Sequence, residues 1–253
     1  MKKILFIGFV FILFFTKQNI AFGQATLDKT LASQVDADIL AFKETYTTIP
    51  ELSKKLTAKY ETEEEKVRAI FRWMTNNIAY DCKTFHNNGK IRGLDSKDYN
   101  NSKSYYYAIA EHVMKSKKGI CSGYTFLFYE LCRAAGLKCY IVNGITSQHP
   151  KTVNFFRKLN MFNTNHAWNK VKIDNNWYFI DVTWASGSCN RMVTRFKKQL
   201  DSNYYLTPEN EPYTTHAEEK TESADFNDYI DNPGYPNHQN RHPCLNIFYC
   251  TDW

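Results

Sequence analysis

The sequence predicts an α+β domain, with N-terminal helices packed on an antiparallel β-sheet. Apolar residues recur at helical spacing through 31–78 and again through 121–135. Two apolar segments, 165–173 and 177–185, flank the turn signal Asp174-Asn175-Asn176 and read as a β-hairpin. The helices precede the strands, which is the order of an α+β layout. Aromatic residues make up 16% of the 253, a content that suits a packed core and argues against disorder.

Each element follows from local patterning. Lys2 and Lys3 precede the uncharged apolar stretch Ile4 to Phe15, and Ala21 and Gly23 have cleavage-site spacing, so residues 1–23 read as a secretory signal peptide cut before Gln24. That apolar stretch is shorter than the ~20 residues of a spanning helix. The expectation is a secreted or periplasmic protein with no stable membrane anchor after cleavage. An N-terminal helical segment covers 24–60. In it, Leu31, Val35, Ile39, Phe42 and Tyr46 predict one helix over 31–46, broken at Ile49-Pro50. Thr48 and Glu51 predict a capping box for a short helix to about Tyr60. Thr62 and Glu65 predict another, ahead of the amphipathic run Val67, Ile70, Phe71, Met74 and Ile78. The polar stretch 81–103 reads as a long loop, followed by a short helix around 105–115. In "GICSGYTFLFYELCRAAG" (119–136), Cys121 follows a glycine turn and opens a helix that ends at Gly136. A strand over 137–144, a connection over 145–164 and the hairpin follow. The catalytic core is assigned to 61–208, and 209–253 is a polar tail of weak periodicity.

Charge and cysteine content narrow the class. The formal net charge is +6, and removing Lys2, Lys3 and Lys17 leaves about +3, too small to argue for nucleic acid. No later apolar stretch is long enough to span a bilayer. Cysteines stand at 82, 121, 132, 139, 189, 244 and 250. Export permits disulfides, but an odd count leaves one thiol over, and Cys121 is the candidate. No pair has the CxxC spacing of a zinc ribbon or a thioredoxin-like motif.

A thiolate is stabilised by a helix N-terminus and by a neighbouring imidazolium. Cys121 has the first by position. His166, in "NHAW", lies on a predicted strand, and Asp181 follows fifteen residues later, in "IDVTW" on the partner strand. Opposed positions across an even loop differ by an odd number, so this offset lets both side chains project from one face. Nucleophile, base and orienting carboxylate are then available. Taken singly, each has a plainer reading: a core cysteine, a satisfied strand histidine, a strand-end acceptor. The three types could also hold zinc, but a helix-start cysteine is better explained by nucleophilicity. Cys132, Trp168 and Trp184 read as packing. The backbone N–H of Cys121 is the natural oxyanion donor, with Tyr80 or Trp73 as candidate side-chain donors. The loops 81–103 and 145–164 are expected to border the cleft.

The segments "EEEKVRAIFRWMTNNIAYD", "GICSGYTFLFYELCRAAGL" and "NHAWNKVKIDNNWYFIDVTWA" together resemble the transglutaminase-like superfamily, in particular its bacterial secreted members and the kyphoscoliosis-peptidase-like branch. The resemblance covers about 48–208. It implies a papain-like transglutaminase-core fold with Cys121 as nucleophile, His166 as base and Asp181 as orienter. It implies acyl transfer from protein or peptide amides through a thioester, to water or to an amine, with no metal or cofactor. Calcium dependence belongs to the animal crosslinking enzymes, and no acidic cluster here asks for it. "NYYLTPENEPYTTH" keeps the start of that branch's continuation, and the later tail does not. The alternative from another class is a non-catalytic binding or cell-surface assembly module on the same fold.

Overall fold

The structure is a computed structural model that describes residues 29–99, 102–153 and 164–218; the stretch 1–23 read as a signal peptide, Cys244 and Cys250 lie outside them. Three helices come first: α1 (Lys29–Leu40), α2 (Ile49–Thr57) and α3 (Glu63–Asn77). α1 is shorter than the predicted 31–46. Its last turn tightens, with the Phe42 N–H on the Ile39 carbonyl, and the chain then leaves the helix. Phe42 and Tyr46 still pack on the core, stacked at 6.4 Å, because burial does not require them to be helical. The first turn of α2 uses Thr48 as N-cap, but Glu51 reaches back to the Thr47 N–H rather than that of Thr48, so the predicted box is half formed. At α3 the box is complete. Thr62 Oγ1 accepts the Glu65 N–H, and Glu65 accepts the Thr62 N–H at 3.0 Å.

Helix α3 joins the two sides of the domain. Arg68 makes a bidentate pair with Asp36 of α1 at 2.7 and 2.8 Å, and Arg72 meets the same carboxylate at 3.0 Å. At its C-terminus, where carbonyls lack helical partners, Lys198 donates to the carbonyls of Thr75, Asn76 and Ile78. Removing the N-terminal cap tests how far local chemistry supports this scaffold. Thr62→Ala should cost about 1 kcal/mol and lower Tm by roughly 2–4 °C, read by thermal or urea unfolding.

The stretch 81–103 is less irregular than its composition predicts. It contains α4 (Cys82–His86), capped by Asp81, and a 3₁₀ turn at 96–98, capped by Asp95. A short strand β1 (Ala79–Tyr80) pairs in parallel with β2 (Lys118–Gly119), which follows α5 (Ser102–Ser116). Gly119 is therefore strand, not turn. It lacks a side chain because a Cβ there would lie 2.9 Å from Val113 Cγ2 of α5. Helix α6 (Cys121–Ala134) starts two residues later and ends at Gly136, whose φ of +75° is the left-handed C′ conformation.

Strands β3 (Cys139–Thr146), β4 (His166–Ile173) and β5 (Asn176–Ile180), with the short β8 (Thr207–Pro208) and β9 (His216–Glu218), form an antiparallel sheet of order β8-β5-β4-β3-β9. Asp174 and Asn175 make the hairpin turn with φ of +47° and +70°, the pair of positive values that a two-residue turn demands. Val171, Ile173, Tyr178 and Ile180 face the helices and join their core. Val142, Trp168 and Phe179 lie on the opposite face with Tyr213. A one-turn helix α7 (Val182–Ala185) and the ribbon β6 (Gly187–Cys189) and β7 (Phe196–Lys198) complete the described chain. Part of the segment assigned to the tail joins the sheet: β9, at 216–218, pairs with β3. The architecture is α+β, with helices packed on an antiparallel sheet. Among the described residues no helix is long and apolar enough to cross a membrane.

Candidate active site

Cys121 is the first residue of α6. The first intrahelical bond runs from the Tyr124 N–H to the Ile120 carbonyl at 3.0 Å, so the Cys121 amide lies outside the helical ladder. Ile120, the N-cap, supplies no side-chain cap. The helix is held against the sheet one turn further on. Thr125, four residues on and so above the same face, donates to the Ala167 carbonyl at 3.0 Å. Asn169 donates from β4 to the Thr125 carbonyl at 3.2 Å. These bonds bring the start of α6 to the start of β4, and set the Cys121 side chain close enough to His166 to favour its charged form.

Asp181 is not on the partner strand as the hairpin reading expected. β5 ends at Ile180, and Asp181 is the N-cap of α7. Its Oδ1 accepts the Trp184 N–H at 3.0 Å, the bond that turns the chain out of the strand. Its Oδ2 meets His166 Nε2 at 2.7 Å. The register pairs Asn169 with Ile180, so the strand continued by one residue would set Asp181 opposite Trp168. The expectation that His166 and Asp181 share a face therefore survives the change of element. With Nε2 on the carboxylate, Nδ1 is the nitrogen on the other side of the ring.

The site is closed. Cys121 is 1% exposed, His166 2% and Asp181 0%. Burial works against a charged His166, but the Asp181 charge and hydrogen bond, with Cys121, outweigh it and raise the imidazole to about 10. Burial likewise opposes the Asp181 charge, yet the two histidines beside it hold the carboxyl well below the usual range. The second histidine, His216, went unnoticed in the sequence. Its Nε2 meets the same Oδ2 at 3.0 Å, and Thr215 Oγ1 lies 2.9 Å from its Nδ1. Gly144 of β3 is required at this point: a Cβ would meet the Ala217 carbonyl oxygen at 2.1 Å and Trp168 at 2.7 Å.

His166, Asp181 and His216 offer ligand atoms within 4.8 Å of one another, a grouping that would suit a divalent ion. The two contacts to Oδ2 have hydrogen-bond lengths of 2.7 and 3.0 Å. A tetrahedral zinc with bonds of about 2.0–2.1 Å needs donor atoms roughly 3.3 Å apart, so protons fit the present spacing better than an ion does.

The remaining predicted residues fall in different places. Tyr80 is buried in β1, paired with Gly119, two residues before Cys121. Trp73 lies elsewhere, edge-on to Tyr46 at 5.8 Å and beneath the Lys117 ammonium. Trp168 and Trp184 pack around His166 at 6.0 and 5.8 Å. A shallow hollow beside the start of α6 is lined by Asp81, Thr84, Ile91, His112, Gly119 and Ser122, and not by Cys121. It brings part of 81–103 next to the helix start. Residues 154–163 of the other expected cleft loop lie outside the described residues. The five described cysteines, Cys121 among them, are free thiols; Cys139 lies beside Cys132 and Cys82 beside Cys189, each adding to the rise that burial gives its neighbour.

Human kyphoscoliosis peptidase is 30% identical over 161 residues, covering 63% of this chain and 21% of that protein. Hillarin from Drosophila melanogaster is 26% identical over 157 residues, covering 60% and 16%. The chain thus spans about a fifth of the length of the curated relatives it matches. A crystal structure of a TGase aligns with a TM-score of 0.33 and 22% identity, over 74% of this chain and 38% of that one. The family model of the transglutaminase-like superfamily matches residues 50–182, more than half of the sequence, so the chain belongs to the transglutaminase-like superfamily.

Proposed function

We propose that the protein is an exported cysteine acyl-transfer enzyme acting on protein or peptide amides, with hydrolysis as its main outcome. One observation carries this reading. The Cys121 side chain, at a helix N-terminus, lies beside an imidazole whose Nε2 is fixed by a buried carboxylate. A helix N-terminus and an imidazolium are the two groups that stabilise a thiolate. The thiolate attacks the amide carbonyl carbon, and the Cys121 backbone N–H donates to the oxyanion. Of the two candidate side-chain donors, Tyr80 is the one whose strand pairs with Gly119, two residues before Cys121. Imidazolium Nδ1–H protonates the departing amine as the C–N bond breaks, leaving a thioester. Water, giving up a proton to His166, then attacks the thioester and releases the acid and Cys121. Water is the default acceptor where no amine-binding site is identified; an amine in its place would give crosslinking. The "peptidase" in the human relative's name agrees with this outcome.

The test combines a thiol probe with product masses. Iodoacetamide near neutral pH should label Cys121 first. Burial pushes the thiols of Cys132 and Cys189 up, Cys189 to about 12, so both should lag. A labelled peptide amide offered with a primary amine should yield mainly the hydrolysed product. Predominant amine adduct would make the protein a crosslinking enzyme. Labelling of Cys121 no faster than Cys132, with no turnover, would favour the binding module.

A further inference from the structure

We propose that His216 is a positioning residue, which shares Asp181 Oδ2 with His166 and so limits how tightly the carboxylate holds the working imidazolium. The inference rests on the reading of Cys121, His166 and Asp181 given above.

Both imidazoles address one oxygen, at 2.7 Å from His166 and 3.0 Å from His216, while Oδ1 is occupied by the Trp184 N–H. His216 is 3% exposed and enclosed by Tyr213, Trp184 and Trp168, with ring centroids at 4.6, 4.8 and 4.9 Å. An apolar side chain would fill such a cage without loss, whereas a buried imidazole is costly unless its nitrogens are bonded. Here Thr215 Oγ1 is placed to donate to Nδ1, which directs the Nε2–H at Asp181. His216 is then a neutral donor. Burial disfavours its charged form, and the neighbouring His166 charge adds to that despite Asp181.

An acceptor shared by two donors binds each less strongly than it would bind one alone. With His216 removed, Oδ2 serves His166 only, and the imidazolium gives up its proton at a higher pH. A base that retains its proton is a poorer base in deacylation. The titratable groups facing Asp181 are Tyr124 of α6, His166 of β4, Tyr204 of the 3₁₀ turn at 202–204, Tyr213, and His216 of β9; Cys121 faces His166. Burial pushes the three tyrosines up, Tyr204 to about 12, so they stay protonated where His166, at about 10, gives up its proton.

The experiment is the pH profile of Cys121 alkylation by iodoacetate, with neutral iodoacetamide as control, on the intact protein. Iodoacetate is an anion and is drawn by the imidazolium, so its rate relative to iodoacetamide falls as His166 deprotonates. His216→Phe should move that alkaline limb upward by about one pH unit, the scale of one hydrogen bond. Turnover should fall roughly 10- to 100-fold with KM little changed. His216→Gln carries an N–H at a similar reach and should return the limb to the wild-type position. A role in packing alone would lower Tm without moving the limb. If His216→Phe does not fold, Thr215→Val provides the second arm. Without the hydroxyl on Nδ1 the tautomer is no longer fixed, and the limb should rise by about half a unit. An unmoved limb in a folded His216→Phe, or in a folded Thr215→Val, overturns the proposal. Wild-type Cys121 that reacts no faster than free cysteine at pH 6 would instead overturn the underlying reading of the site.

Discussion

Cys121→Ala is expected to abolish thioester formation and to reduce peptide-amide turnover on the order of 10⁶-fold, as loss of the nucleophile does in triads that act as a unit. Every later step requires the sulfur to have bonded to carbon, so no other residue can compensate. The change should leave the fold intact. Cys121 is the first residue of α6, and the bonds that fix this helix run from Thr125 and Asn169 rather than from the sulfur. Cys121→Ser separates polarity from nucleophilicity. A hydroxyl keeps a polar group beside His166, but it is not ionised by an imidazolium, so this variant should also be inactive. The measurements are turnover, intact mass after mixing with substrate, and circular dichroism. A folded Cys121→Ala protein that retained its full biological effect would transfer the reading to the binding module.

Local chemistry explains why much of this was legible in the sequence. Thr62 and Glu65 form the box that their spacing predicts, because capping involves only neighbouring residues. Asp174-Asn175 marks the hairpin because few residues accept two consecutive positive φ values. Cys121, His166 and Asp181 were picked out by residue type and context, and the structure brings them together, although Asp181 does so as a helix cap and not as a strand residue. What was hidden depends on tertiary contact. His216 lies 35 residues beyond Asp181, on a three-residue strand whose position is set by pairing with β3; nothing in its neighbours announces this. Residues 81–103 are polar enough to read as loop, yet Asp81 and Asp95 cap short helical turns within them. Gly119 looked like turn chemistry. Its reason is Val113, six residues away on α5 and invisible to any local rule.

Asp181→Asn should lower turnover about 10³- to 10⁴-fold while leaving the protein folded. The carboxylate accepts three hydrogen bonds, from the Trp184 N–H, His166 and His216. Asn Oδ1 can keep the first, and its Nδ2 has two protons for two imidazoles. Each histidine must then present Nε2 as an acceptor. His216 can do so, because the Thr215 hydroxyl accepts from Nδ1–H as readily as it donates to it. His166 can do so only with its proton on Nδ1, the atom that must take a proton during deacylation. The variant is therefore satisfied in its hydrogen bonds and wrong in its tautomer. Its stability should show the same signature. Wild-type His166 is raised from an ordinary 6.5 to about 10, so its contribution is complete below pH 6.5 and is lost between 6.5 and about 10. Asp181 is held below its ordinary 3.8, so its contribution is present above that value and is lost as the pH falls further. Asp181→Asn removes both dependences. Urea midpoints should differ most from wild type near pH 6, converge towards pH 10, and vary less with pH in the variant. A constant offset from pH 6 to pH 10, or near-normal turnover in the folded variant, would remove the His166–Asp181 ion pair from the account.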